Sequence, residues 1–284
     1  MKNKQKRVAA IHDLSGYGRC SLSVALPVLS SMGHEVCALP TAVLSSHTGG
    51  LPGVTVRDLT PEMGGFLRQW QALGLQFDAI YTGFLGSGEQ IGLVEDFLHT
   101  FRRPETLVLV DPAMADGGAL YRTYTPEMAA GAKRLCARAD LIVPNTTEAA
   151  LLLGEAWNQG PYTRGWVEDV LHRLAALGPR MVVLTGVWFA PALLGAASLD
   201  SATGEVSYAL APRSPGGYPG TGDLLASALL GALLDGCTLK DALQLAVDFT
   251  AGAIRRTHEA GTDPRGGVQF ETCLPRLLRE LGLL

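Results

Sequence analysis

The sequence predicts an α/β fold: a doubly wound, mostly parallel central sheet with helices on both faces. Three observations carry that expectation. Apolar runs that read as strands alternate with helical patterns along the chain, as right-handed strand–helix–strand crossovers require. Most of the runs are continuously apolar, the pattern of strands covered on both sides. Hydrophobic residues make up 47% of the 284 and charged residues 18%, which is ample for such a core.

The candidate strands, in order, are 7–12, 36–44, 78–82, 106–111, 140–143, 181–185, 193–199 and 205–210. The last two differ from the rest. They flank Asp200-Ser201-Ala202-Thr203-Gly204, a polar turn ending in glycine, so a small hairpin is expected near 193–210. Helix starts are legible between the strands. Thr60-Pro61-Glu62 and Thr125-Pro126-Glu127 each place proline just after a capping threonine. Asn145 with Glu148 reads as a capping box, and Thr238 with Asp241 caps a helix whose apolar face is Ala242, Leu245, Ala246, Phe249 and Ala253. Residues 223–235 are apolar nearly all round, so that helix should be buried. No linker, repeat or low-complexity segment interrupts 1–284, and one domain is expected. Glycine- and proline-rich loops at 45–53 and 211–222 are candidate flaps over a site.

Several classes of function fall away. A formal net charge of -4 argues against nucleic acid or an anionic membrane as the main partner. No apolar run approaches the roughly 18–20 residues of a membrane span. The basic start, Met1–Arg7, leads into only a short apolar stretch, too short for a signal peptide, so a cytoplasmic protein is expected. The five cysteines are scattered and contain no Cys-x-x-Cys, which fits buried reduced thiols better than disulfides or zinc.

Ligands of open α/β sheets bind beyond the carboxyl ends of the strands. Here those ends carry Asp13, Ser45-Ser46-His47-Thr48-Gly49, Thr82-Gly83-Phe84, Asp111-Pro112, Pro144-Asn145 and Thr185-Gly186. Each residue could be a cap or a turn; together they mark one polar edge. The sharpest local feature is Gly220-Thr221-Gly222-Asp223, which leads straight into the buried helix. Glycines allow tight backbone there, and the first-turn amides with the helix dipole favour an anion. Taken alone, the four residues also fit an ordinary helix start with a first-turn acid.

Gly220-Thr221-Gly222-Asp223 resembles the anion-hole and catalytic-base motif of the ribokinase-like superfamily. Within it, the chain resembles pyridoxal/pyridoxamine kinases through 45–49, 82–84, Asp111-Pro112 with Asp116, and Pro144-Asn145-Thr146-Thr147-Glu148. The resemblance implies an ATP-dependent kinase of a B6 vitamer, with Mg²⁺ and a monovalent cation as candidate cofactors and a homodimer as the assembly. It implies Asp223 as the base on the substrate 5′-hydroxyl and the amides of Gly220, Thr221 and Gly222 as the anion hole. It places Asp111, Asn145, Glu148, Thr185 and Thr221 about ATP. It puts Asp116 and Glu148 at the metal, Glu148 through water, and Asp13, Thr48 and Phe84 at the substrate. Phe84 stands where tyrosine is common, keeping an aromatic wall and losing a hydroxyl. Tyr121 would belong to a loop over the phosphates; Arg19 would meet either a phosphate or a surface carboxylate; His47 is read as structural.

Other readings stay open. Gly16-Tyr17-Gly18-Arg19-Cys20-Ser21 imitates a dinucleotide fingerprint, but no acid ends the second strand. No Walker A sequence is present. Hydroxymethylpyrimidine kinase is the nearest alternative, since Asp13-Leu14-Ser15-Gly16 resembles that branch and both substrates are hydroxymethyl heteroaromatics. A non-catalytic small-ligand-binding protein is the alternative of another class. Some relatives trap pyridoxal with a lid cysteine; 211–222 contains none.

Overall fold

The structure is a computed structural model and describes residues 5–284. The first four residues of the basic start lie outside it. Along the chain run β1 (Arg7–Ser15), α1 (Leu22–Ser31), β2 (Glu35–Leu44), β3 (Val56–Asp58), α2 (Thr60–Ala72), β4 (Ala79–Thr82) and α3 (Gly88–Phe101). They are followed by β5 (Leu107–Val110), β6 (Ala115–Asp116), β7 (Ala119–Leu120), α4 (Pro126–Ala137), β8 (Leu141–Ile142), α5 (Thr146–Leu153) and α6 (Arg164–Ala175). The rest comprises β9 (Met181–Val187), β10 (Leu193–Asp200), β11 (Glu205–Pro212), α7 (Thr221–Leu234), α8 (Leu239–Glu259) and α9 (Leu274–Glu280).

Nine strands form one sheet in the order β11-β10-β9-β8-β5-β4-β1-β2-β3. The five pairings from β9 inward to β2 are parallel, and the edge pairs β9–β10, β10–β11 and β2–β3 are antiparallel. The expected hairpin at 193–210 is therefore the last two strands of the main sheet. The short strand β3 and the two-stranded β6–β7 ribbon went unforeseen; neither has an apolar run long enough to show a period.

Strand side chains alternate between two cores, which is why the runs are apolar throughout. Ala9, Ile11, Ile80, Val108, Val110 and Ile142 pack on one face with α3, α4 and α6. Val8, Ala79, Tyr81, Leu109 and Leu141 pack on the other with α1, α7 and α8. α7 is buried over most of its length, from Leu224 to Ala232, as its all-round apolar sequence requires.

The caps at Thr125, Asn145 and Thr238 form as read, each side chain accepting from a first-turn amide. Thr60 does not cap. It is the first helical residue of α2, and its amide donates to Asp58 Oδ1 at 2.7 Å. The amides of Glu62 and Met63 donate to the Leu59 carbonyl instead, and the Thr60 hydroxyl accepts from the buried Gln90 side chain at 2.9 Å. All five cysteines are free. Cys20 and Cys136 are buried, whereas Cys37, Cys237 and Cys273 are only partly so, less covered than expected.

Candidate active site

The carboxyl ends of β5, β8 and β9, the 211–222 segment and the start of α7 enclose a cleft of about 460 Å³. Its walls include Asp111, Asp116, Tyr121, Asn145, Glu148, Thr185, Gly220, Thr221, Gly222 and Asp223. All the residues read as phosphate- or metal-facing thus meet in one place. Asp13, Thr48 and Phe84 are not in these walls. A second cleft, of about 370 Å³, lies at the amino ends of β5 and β9 between the ion pairs Arg180–Asp200 and Lys240–Glu205, and holds none of them.

Gly220 is the N-cap of α7 with φ 78°. A Cβ there would also lie 1.8 Å from the Arg19 carbonyl oxygen, so glycine is required by conformation and by contact alike. No side chain caps α7. Asp223, at the third helical position, turns away from its own helix, and its Oδ2 accepts from the Ser21 amide at 2.9 Å. Burial raises Asp223 from 3.8 to about 7, against the pull of the Ser21 amide.

Ser21 is itself unusual. Its φ of 52° lies in the left-handed region, which costs a non-glycine residue about 1–3 kcal/mol. Two bonds hold it there: the amide to Asp223, and the hydroxyl to Asp13 Oδ1 at 2.5 Å. Asp13 also accepts from Ser15 Oγ at 3.2 Å and is buried, which raises its pKa. The loop that imitates a dinucleotide fingerprint thus serves to hold Asp223.

On the other wall, Asn145 accepts from the amides of Thr147 (2.8 Å) and Glu148 (2.9 Å), completing the capping box of α5. Glu148 Oε2 accepts from the Asn145 amide at 2.8 Å and Oε1 from the Met114 amide at 3.0 Å. Burial raises Glu148 to about 7 against these bonds, and Asp111 is raised well above the carboxylate range by burial, then by Glu148 and Asp223. Asn145 bridges to Thr185, whose amide donates to Pro144 O at 2.9 Å, so β8 and β9 carry both residues to one edge. Asp116 is exposed on the β6–β7 ribbon, its Oδ1 accepting from Gly117. The ribbon is pinned to α5 by the Gly118 amide on Thr147 Oγ1 at 3.1 Å.

Asp111, Glu148 and Asp223 line the cleft with pKa values raised by burial, and a cation placed among them would favour their charged forms. Glu148 has both oxygens on amides, and among the described residues no three acidic, histidine or cysteine side chains cluster as a metal cage. The set fits a hard divalent ion that brings most of its own ligands, as Mg²⁺ does on a triphosphate.

Thr48 is exposed on the 45–53 loop, and Phe84 is half-buried, its ring 6.2 Å from that of Tyr124. His47 is structural as read: Nδ1 accepts from Gly49 and Nε2 lies 2.6 Å from the Arg265 carbonyl, to which it donates. Arg19 meets a surface carboxylate, Glu271, at 2.5 Å. Sequence reasoning missed Ser21, and also His12, Tyr81 and Ser227, which lie buried behind Asp223. The available clues were a histidine inside the apolar run 7–12 and the glycine-patterned loop that ends at Ser21.

Residues 26–268 match the family model described as phosphomethylpyrimidine kinase. A Bordetella avium protein named pyridoxine/pyridoxal/pyridoxamine kinase is 30% identical over 89% of this chain and 86% of its own. The crystal structure of a Lactobacillus plantarum pyridoxal kinase matches with a TM-score of 0.89 and 36% identity over 97% of this chain and 98% of its own. A candidate phosphomethylpyrimidine kinase from Bacteroides thetaiotaomicron, crystallised with pyridoxal, matches with a TM-score of 0.92 and 41% identity over 96% of both chains. The chain belongs to the phosphomethylpyrimidine kinase family, and within that ribokinase-like group it stands with the pyridoxal kinases.

Proposed function

We propose that this protein is an ATP-dependent kinase that phosphorylates the 5′-hydroxymethyl group of a B6 vitamer, with Asp223 as the general base. The observation that carries the base assignment is the placement of Asp223: it opens on the same cleft as Asp111 and Glu148 and sits beside a helix start that no side chain caps. Phosphoryl transfer asks the protein for position and charge compensation rather than covalent chemistry. Asp223 takes the proton of the attacking hydroxyl; the new phosphorus–oxygen bond forms as the bond to the leaving ADP oxygen breaks. The amides of Gly220, Thr221 and Gly222 receive the charge of the transferring group. Asp111, Asp116 and Glu148 face the metal-bound triphosphate, Glu148 through water because its oxygens are already on amides. Mg²⁺, held with the nucleotide beside Asp116 and Glu148, would supply neutralisation of the phosphate charge. Asn145 and Thr185 lie on the nucleotide side, Tyr121 over the phosphates.

Asp13, Thr48 and Phe84 form the vitamer end of this proposal. Thr48→Ala is expected to raise the KM for the vitamer about tenfold and leave that for ATP within a factor of two; the reverse pattern would place the pocket elsewhere. A homodimer belongs to the same reading, supported by the exposed Leu14, Val43 and Val56 at the β1–β2–β3 end of the sheet. Light scattering tests it.

The deciding experiment is a phosphorylation screen of pyridoxal, pyridoxamine, pyridoxine and hydroxymethylpyrimidine with Mg-ATP. Hydroxymethylpyrimidine is the competing substrate, and the family's description as phosphomethylpyrimidine kinase keeps a substituted pyrimidine in contention. Turnover of a vitamer at least tenfold more efficient than of hydroxymethylpyrimidine upholds the proposal; the opposite ranking overturns it. No ATP consumption with any of them would make the chain a binding protein.

A further inference from the structure

His12 ends the apolar run of β1 on the same face as Val8 and Ala10, pointing toward α7. The residue is fully buried, and neither ring nitrogen has a hydrogen-bond partner. The hydroxyls of Tyr81 and Ser227 are also buried on this side of the sheet, the Ser227 hydroxyl turned toward that of Tyr81. Tyr81 meets the imidazole edge-on with ring centroids 4.2 Å apart. Ser227 lies one turn along α7 from Asp223, so both face the sheet at this point. An unpaired buried polar group costs about 1–3 kcal/mol, and an apolar side chain of like size would avoid it. An imidazole with both nitrogens unpaired directly behind one carboxylate points to a use for it.

The distance from His12 Nδ1 to Asp223 Oδ1 is 3.9 Å. That is too long for a hydrogen bond, and catalytic contacts are often loose before substrate binds. Burial holds the imidazole neutral, near pKa 3, so one nitrogen carries a proton and can donate without placing a cation beside the base. The ring also has a seat made for it: a Cβ on Gly83 would lie 2.2 Å from Nδ1.

We infer that His12 is a positioning residue for Asp223: its Nδ1–H closes onto Oδ1 in the substrate complex while the Ser21 amide holds Oδ2, fixing the carboxylate from two sides. This rests on the reading of Asp223 as the base.

The test compares wild type, His12→Leu, His12→Asn and Gly83→Ala, with His12→Leu also built on Asp223→Ala. Turnover of pyridoxal, KM for both substrates and melting temperature are measured for each. His12→Leu should lower kcat 10- to 100-fold with both KM values within threefold. His12→Asn, whose amide can donate from near the Nδ1 position, should recover all but about fivefold. On the Asp223→Ala background His12→Leu should add no further loss. Gly83→Ala, which displaces the ring without deleting it, should lower kcat in the same sense. A His12→Leu enzyme within twofold of wild-type kcat, a loss confined to KM, or an equal loss on the Asp223→Ala background would each overturn the inference. Should His12→Leu fail to fold, His12→Asn outperforming Gly83→Ala upholds the inference and equal turnover of the two overturns it. A wild type inert toward every substrate of the screen overturns the base reading and this inference together, whereas an active wild type with an indifferent His12→Leu overturns the inference alone.

Discussion

Two helices begin at the same cleft with an acid at their third position, and they use it in opposite ways. In α5, Asn145 caps the first-turn amides and Glu148 turns back to the Asn145 amide, so the helix end is closed by its own side chains. In α7, a glycine stands at the N-cap, no side chain caps the turn, and Asp223 reaches across to Ser21 of another element. A closed helix start has its first-turn amides taken up by its own side chains. An open one, with its dipole and amides directed into a cleft and its acid held from outside, can serve an anion and a hydroxyl at once. What separates the two starts is whether the third residue also closes its own helix, as Glu148 does and Asp223 does not.

The comparison breaks most simply at Asp223. Asp223→Ala should reduce kcat by about 10²–10⁴-fold, the range for loss of a general base, while nucleotide affinity by equilibrium titration stays within a few-fold of wild type. Near-normal turnover in a folded variant would leave α7 with no more chemistry than α5. Next in size is Gly220→Ala. Its φ of 78° and the 1.8 Å approach to Arg19 O mean that an alanine must move the turn. The backbone strain alone costs about 1–3 kcal/mol, read from denaturant melts, and kcat should fall at least tenfold as the amides shift. Unchanged turnover would show that the open amides are not where the phosphoryl group sits.

Much of this contrast was legible before the structure, and the reason differs by region. The strands of the parallel core and the capping residues Thr125, Asn145 and Thr238 are local patterns, and they hold. The cleft residues at the carboxyl ends of β5, β8 and β9 follow from topology, so they too assemble as read. What could not be read is partnership at long range. Ser21 holds Asp223 across 202 positions, and His12 lies behind it from the first strand; the spacing of residues 16–21 suggests a dinucleotide loop and nothing of this partnership. Thr60 reads as a cap, but α2 starts one residue earlier, with Leu59 at the N-cap and the Thr60 hydroxyl drawn to Gln90, a partner 30 positions away. Asp13, Thr48 and Phe84 are also read at strand ends, with their substrate role taken from resemblance, and they lie outside the walls of this cleft.

A sharper version of the comparison exchanges each acid for its amide and reads stability instead of rate. Glu148→Gln should destabilise the ligand-free protein by about 1–3 kcal/mol in denaturant melts. Glu148 receives amides on both oxygens, from Asn145 and Met114, and a glutamine must turn its NH₂ against one of these donors. A stabilised Glu148→Gln variant would mean that burial of charge outweighs the capping box, and the two helix starts would then be alike.

Asp223→Asn should act with the opposite sign and with a defined pH dependence. Only Oδ2 of Asp223 receives an amide, so asparagine can keep its oxygen toward Ser21 and leave its NH₂ directed elsewhere. Burial raises the acid from 3.8 to about 7, so the folded protein binds this proton more tightly than the unfolded chain does. The stabilisation from protonation is complete below the unfolded value and is lost as pH rises through about 7. The side chain keeps 16% of its exposure, so solvent screens part of the penalty and the whole shift does not convert to stability. At pH 8, Asp223→Asn is therefore expected to be more stable than wild type by about 1–3 kcal/mol in the absence of nucleotide, with the gap narrowing steadily toward pH 5. Equal stability at pH 8, or a gap that widens on acidification, would show that Asp223 is comfortable as a carboxylate. It would then be as fully partnered as Glu148, and the distinction between a closed and an open helix start would fail at its most direct test.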